Sequence, residues 1–279
     1  MAQGVRARLT VAAGHLELTD RAERISASAY LELLLNLTRR EVKGRYSQSF
    51  FGVAWAIAQP LATMAVFTIV FSRLAKMPSN GAPYPLFAYA ALVPWFFFSN
   101  SVASGTMSLI TYRNIVTKTY FPREIVPLAQ ICSRLIDFSA ASALYVGLMI
   151  FYGVGVTRWV LMAPVFFVML VLFTVGVTMA TSSLNVFYRD VNPVVQISLQ
   201  LWLYLTPVAY PLSAVSERFR PLFVLNPLTA IAEGFRSSVV FGEPPDWTIV
   251  GISAGLSLGI FVAAFVMFKR MDKYFADVI

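Results

Sequence analysis

The sequence predicts an all-α polytopic membrane protein with six transmembrane helices, an N-terminal interfacial amphipathic helix, and short re-entrant or interfacial helices between spans five and six. Three observations carry this prediction. Hydrophobic residues make up 58% of the chain and charged residues 13%, whereas a soluble domain is about a quarter charged. The apolar residues gather into uncharged runs near the roughly twenty residues a helix needs to cross a bilayer. Lysines and arginines fall between those runs, and they fall unequally.

Residues 1–27 mix Arg6, Arg8, Arg21 and Arg24 with Glu17, Asp20 and Glu23 and show no apolar period, so they read as a flexible arm. Residues 28–279 read as one membrane domain. From Ser28 to Arg45 the pattern changes: Leu31, Leu34, Leu35, Thr38 and Val42 recur at helical spacing, while Glu32, Asn36, Arg39, Arg40 and Lys43 point elsewhere. A helix of this kind lies on the membrane surface with its basic end near anionic lipid headgroups.

The first span is expected at about Phe50–Ser72, with Gly52 and Pro60 inside it, tolerable where neighbouring helices satisfy the freed backbone groups. The second runs from about Pro85 to Ile110 and is expected to bend at Pro94. A charged loop, residues 111–127, leads to the third span at about Ile125–Val154, which carries Arg134 and Asp137 near its start. The fourth covers Trp159 to about Leu184, and the polar turn Asn185–Pro193 follows. The fifth, about Val194–Tyr210, ends at Pro207 and Pro211 and barely crosses. In the connection 211–246, Asn226 and Pro227 read as an N-cap followed by proline at the first helical position, ahead of an apolar stripe of Leu228, Ile231, Phe235 and Val239. The sixth span, Trp247–Phe268, is closed by Lys269, Arg270 and Lys273.

Six crossings put both termini on one side. That side takes fifteen Lys/Arg and the other six, namely Arg73, Lys76, Arg158, Arg218, Arg220 and Arg236, with Arg134 left inside a span, so the termini and the loop 111–127 are expected in the cytoplasm. The net charge of +8 is thereby a topological signal and not a nucleic-acid footprint. The first fifty residues hold eight Lys/Arg and no apolar core with a small-residue cleavage site, so no secretory signal is read there.

Catalytic chemistry has little to work with. Cys132 and His15 are the single cysteine and histidine, which leaves no disulfide framework, no metal-ligand cluster and no Ser-His-Asp arrangement outside the N-terminal arm. No glycine is followed by lysine, so the phosphate-cradling loop is missing and any ATP must be bound by another chain. Arg134 and Asp137, three apart, read as a salt bridge that positions the third span near the cytoplasmic surface. Gln196, Gln200 and Tyr204 share one face of the fifth span, and Trp55, Gln59 and Thr63 one face of the first. Two readings stand for these stripes: contact with neutral sugars or hydrogen bonding between helices. Interhelical bonding is the better reading for Thr174, Thr178 and Thr181. Trp95 and the three phenylalanines after it could line a pore or form an aromatic belt.

Four motifs in this order carry a family resemblance: the run from Arg45 to Trp55 with Gln59 and Pro60, the segment Asn114–Pro127 with its core Phe121, Pro122, Arg123 and Glu124, the triplet Tyr188–Asp190, and Asn226 with Pro227. Over about residues 28–279 the chain resembles the membrane subunit of bacterial polysaccharide-exporting ABC transporters, of the O-antigen (Wzm-type), capsule and teichoic acid export kinds. Phe51 stands where many relatives have leucine. The resemblance implies a homodimer with two separate nucleotide-binding subunits that carry the ATP and magnesium, no cofactor on this chain, and a lipid-linked polysaccharide as substrate, in the bacterial inner membrane. It implies ATPase coupling at Asn114, Phe121, Pro122, Arg123 and Glu124, with Phe121 and Pro122 expected to fix the shape of the loop and Arg123 and Glu124 to make the contact. It also implies a channel lined mainly by the first, second and fifth spans, where the stripes fall, and the lining candidates are Trp55, Gln59, Trp95, Gln196, Gln200 and Tyr204. Arg134, Asp137, Arg189 and Asp190 are read as cytoplasmic gating or positioning residues, and Asn226, Pro227 and Phe235 lie among short helices that resemble the family's periplasmic gate. The rivals are export of teichoic acid, another glycolipid or a small amphipathic molecule, and an intramembrane enzyme acting on lipid-linked sugars. The enzyme would need clustered carboxylates or histidine near a membrane surface, which the sequence does not provide.

Overall fold

A computed structural model describes residues 26–47, 52, 54–118 and 121–278; residues 1–25 of the N-terminal arm, His15 among them, and Phe51 lie outside them. All secondary structure among these residues is helical. Helix α1 (Ala27–Tyr46) covers the stretch expected to be helical before the first span, and is started by Ser26, whose side chain accepts from the Ala29 backbone N–H. The longer helices are α2 (Ala54–Phe67, continued as a π-helix Thr68–Leu74), α3 (Tyr84–Thr111), α5 (Ile125–Phe151), α6 (Ala163–Phe187, entered by the 3-10 turn Arg158–Met162), α7 (Val191–Leu205) and α10 (Trp247–Asp272). Shorter helices lie between them: α4 (Arg113–Lys118), α8 (Arg220–Val224), α9 (Pro227–Phe235, continued as a π-helix Arg236–Phe241) and α11 (Phe275–Val278).

Among the described residues five helices are long and apolar enough to cross a membrane: α2, α3, α5, α6 and α10. The expected fifth span is shorter than predicted. Helix α7 has 15 residues, about 22 Å of rise against a hydrocarbon core of about 30 Å. The cause is local: Pro207 disfavours helical backbone at the residue before it, and Thr206 is extended, with φ −104° and ψ 136°. The chain then folds back, and α9 packs against α3, α6 and α10.

Helix α3 is the axis of the bundle. Of its most apolar eighteen-residue stretch 78% is buried, against 11% for α2 and 17% for α5 and α10. It stays helical through Pro94. Small residues let the helices close up. A Cβ on Gly176 of α6 would stand 2.9 Å from the backbone of Phe261 in α10, and one on Gly105 of α3 would stand 2.1 Å from the Thr178 methyl. The interior threonines add hydrogen bonds: Thr106 and Thr181 hydroxyls meet at 2.8 Å between α3 and α6, and the Asn185 amide donates to the Thr106 carbonyl at 3.1 Å. Thr174 and Thr178 are fully buried but, against expectation, make no hydrogen bond between helices among the described residues: Thr174 donates to the Leu170 carbonyl one turn back in its own helix, and the Thr178 hydroxyl has no partner.

Candidate functional site

Charged contacts gather the expected cytoplasmic elements at one end of the bundle. Helix α3 passes directly through Tyr112 into α4, whose Val116 is buried while Arg113, Asn114 and Thr117 face outward. The Tyr112 phenol donates to the Glu41 carboxylate of α1, and Arg40 lies 5.3 Å from its ring centre. Burial first, then that hydrogen bond, pushes the phenol up to about 12. Beyond α4, Phe121 is buried in the core. Arg123 pairs with Asp272 at 3.1 Å and also donates to its carbonyl. Glu124 accepts from Lys269 at 2.5 Å. Helix α11 packs against α4, and its Phe275 is fully buried against Phe268 and Phe187. A short helix with an outward polar face is thus tied to α1, α3 and α10 together.

This geometry corrects the expected division of labour in the loop. Arg123 and Glu124, read as contact residues, are turned inward onto α10, with side-chain exposures of 16% and 9%. A carboxylate with so little water needs a cation, and the end of α10 supplies it. Asn114 is exposed; Phe121 is buried and Pro122 half-buried. Tyr112, Glu41, Lys269 and Asp272 were missed because pairings between distant segments leave no local period in sequence.

Arg134 and Asp137 are joined at 3.3 Å, as expected, within a larger cluster. Arg45, at the end of α1, reaches the same Asp137 oxygen at 3.0 Å and the Ser133 hydroxyl at 2.8 Å, and Tyr46 donates to the other Asp137 oxygen. The cluster borders a cavity of about 160 Å³ whose lining includes Trp55, Gln59, Phe96, Asn100 and Phe138. Trp55 and Gln59 are therefore brought together with Arg134 and Asp137. Arg189 and Asp190 are exposed in the turn between α6 and α7, apart from this cluster; Asp190 stands at the N-cap of α7 without a side-chain bond to its backbone.

Helix α7 buries Val195 and Leu199 and turns Gln196, Gln200 and Tyr204 outward, with Tyr204 61% exposed. The polar stripe is therefore available to a partner or substrate. Trp95 departs from expectation: it is 5% exposed and packs against Phe98, inside the chain's own core. Its bulk fills the axis helix where α3 has neighbours on all sides.

At the opposite end Asn226 caps α9, its carbonyl oxygen accepting from Leu228 N–H at 3.2 Å while its amide donates to Thr206 at 3.0 Å. Pro227 is buried at the first helical position, and the Phe235 ring meets Tyr145 at 5.8 Å. Arg236 follows, 1% exposed. Its guanidinium donates to the carbonyls of Phe87, Pro207, Val208 and Tyr210, pairs with Glu233 at 2.8 Å, and lies 3.6 Å from the Phe87 ring centre. Sequence reading placed Arg236 among outer-loop charges; its position between Phe235 and a second apolar stretch was the available signal that it is buried.

These features define a multi-pass membrane protein in which α1 and the outward polar face of α4 are held together at one end of the bundle. Residues 32–240 match the family described as ABC-2 type transporter, and the chain belongs to that family. It is 31% identical over 250 residues to the O-antigen export system permease protein RfbA of Myxococcus xanthus, covering 89% of this chain and 95% of that protein. A protein of the same name from Klebsiella pneumoniae is 26% identical over 249 residues, again 89% and 95% of the two chains. The polysialic acid transport protein KpsM of Escherichia coli is 22% identical over 234 residues, 82% and 85%.

Proposed function

We propose that this protein is the channel-forming permease of an ATP-driven exporter that carries a lipid-linked, O-antigen-like polysaccharide across the bacterial inner membrane. Two copies form the channel between them. Two ATPase subunits, which hold the ATP and magnesium, dock on the cytoplasmic side, where the termini of this chain lie. The single observation that carries the coupling is α4: its outer face is polar and exposed, while its flanks are held to α1 and α10 through Tyr112–Glu41, Arg123–Asp272 and Glu124–Lys269. A push on such a helix moves three elements at once.

The mechanism is conformational and forms no covalent bond to the substrate. ATP binding draws the ATPase subunits together; α4 follows, and α3 and α10 move with it. The outward residues Gln196, Gln200 and Tyr204 offer amides and an aromatic ring to hydroxyl-rich sugar as it passes. The names of the similar proteins, two O-antigen export permeases and a polysialic acid transport protein, support a glycan substrate. The experiment is reconstitution of this chain with its ATPase in vesicles. ATP-dependent movement of lipid-linked glycan supports the reading, and ATP hydrolysis with no glycan movement contradicts it.

A further inference from the structure

The cavity at the junction of α1, α2, α3 and α5 has a charge imbalance that the fold does not use. Arg45 and Arg134 bring two positive charges, and Asp137 returns one. Of the ten N–H donors these two guanidinium groups carry, three are engaged among the described residues: two from Arg45 and one from Arg134. The Nε of Arg134 is buried and has no hydrogen-bond partner among them. Asp137 already accepts three hydrogen bonds on its two oxygens, from Arg45, Arg134 and Tyr46, and its single charge leaves one positive charge of the pair unmatched. A buried donor left in this state costs free energy, and an oxyanion is the acceptor that matches it.

The walls point to the kind of anion. The cavity, about 160 Å³, is several times the roughly 30 Å³ of a water molecule, so it admits a group as large as a phosphate. Gln59 and Asn100 bring amides, while Trp55, Phe96, Phe97 and Phe138 form an apolar wall. One end is cationic and the remainder aromatic, which suits a charged head on a hydrocarbon chain better than a free ion. Arg45 ends the interfacial helix, placing the charged end at headgroup depth.

We propose that this cavity receives the phosphate of a membrane lipid, held by Arg45 and Arg134 with the hydrocarbon chain along Trp55, Phe96 and Phe138. Asp137 positions both guanidinium groups and holds the net charge of the three at +1. Under the export reading, on which only the lipid's identity rests, this lipid is the phosphate-linked carrier of the glycan. The site then grips the part that every glycan length shares.

The test is native mass spectrometry of the purified full chain titrated with a polyisoprenyl phosphate, the matching polyisoprenol, phosphatidic acid and inorganic phosphate. No ATPase or glycan is involved, so failure here leaves the export reading intact. The polyisoprenyl phosphate is expected to bind at least tenfold more tightly than the alcohol. Arg134→Gln is expected to weaken it about tenfold, the loss of one charge-assisted contact. Because Arg134 is mostly buried, Gln59→Glu is the companion variant: it adds a negative charge from an exposed position and should weaken binding similarly in a folded protein. Equal binding of phosphatidic acid supports the lipid-phosphate site and assigns its occupant to the bulk bilayer. Equal binding of the alcohol, saturation by inorganic phosphate at the same concentration, or no effect of Gln59→Glu overturns the proposal.

Discussion

Lys269, in the last turn of α10, reaches 2.5 Å to the nearly buried carboxylate of Glu124 at the start of α5. The pair joins segments 145 residues apart and, beside Arg123–Asp272, locks the base of the α4 loop to the end of the chain. Removing the cation leaves a desolvated carboxylate. Lys269→Ala should therefore lower stability by about 1–3 kcal/mol, read as a fall in the detergent unfolding midpoint. Arg123→Ala combined with Glu124→Ala should also lower it, although the two were first read as surface contacts. An unchanged midpoint in both variants would remove the latch from the account.

Outward residues of α4 should behave in the opposite way. Arg113 and Asn114 are exposed, so Arg113→Glu or Asn114→Arg should change stability by less than about 0.5 kcal/mol. The same changes should reduce ATPase co-purification and export by about tenfold, the equivalent of roughly 1.4 kcal/mol of docking energy. Normal complex with normal export would place docking elsewhere.

Gly176 tests the packing of α6 on α10. An added Cβ would press on the Phe261 backbone at 2.9 Å, and a helix backbone gives less readily than a side chain. Gly176→Ala should cost about 1–3 kcal/mol and reduce the folded yield in size-exclusion chromatography. Gly251→Ala is the control, because its Cβ would meet nothing within 4 Å. Equal behaviour of the two would contradict the close approach.

The exposed face of α7 yields a transport phenotype without a folding one. Gln200→Leu and Tyr204→Ala remove polar and aromatic surface that the protomer does not use for its own core. Export should fall several-fold while the unfolding midpoint stays within about 1 °C of wild type. A large loss of stability would instead make this face structural.

The legible part of this protein was whatever repeats at short range. Helical periodicity placed α1, and uncharged runs placed α2, α3, α5, α6 and α10 within a few residues. Asn226 and Pro227 announced the start of α9, because a cap and an N1 proline act on neighbouring backbone groups. The end of α7 was only partly readable: Pro207 marks it through local sterics, but the helix stops at Leu205 and not at the expected Tyr210. Residues whose roles depend on distant partners were not readable. Trp95 looked like pore-lining bulk because nothing nearby shows that α3 is enclosed. Arg123 and Glu124 looked like surface charges because Lys269 and Asp272 lie nearly 150 residues away. Arg236 was counted as a loop charge although its partners are carbonyls from two other segments, α3 and residues 207–210.

The central claim is that the exposed face of α4 meets the ATPase. A photo-cross-linking amino acid placed at Asn114, with the same group at Gly251 as control, tests it in cells that express both chains. The account predicts a cross-linked permease–ATPase band from position 114 and none from position 251. A complex that co-purifies intact and yields no cross-link from position 114 contradicts it.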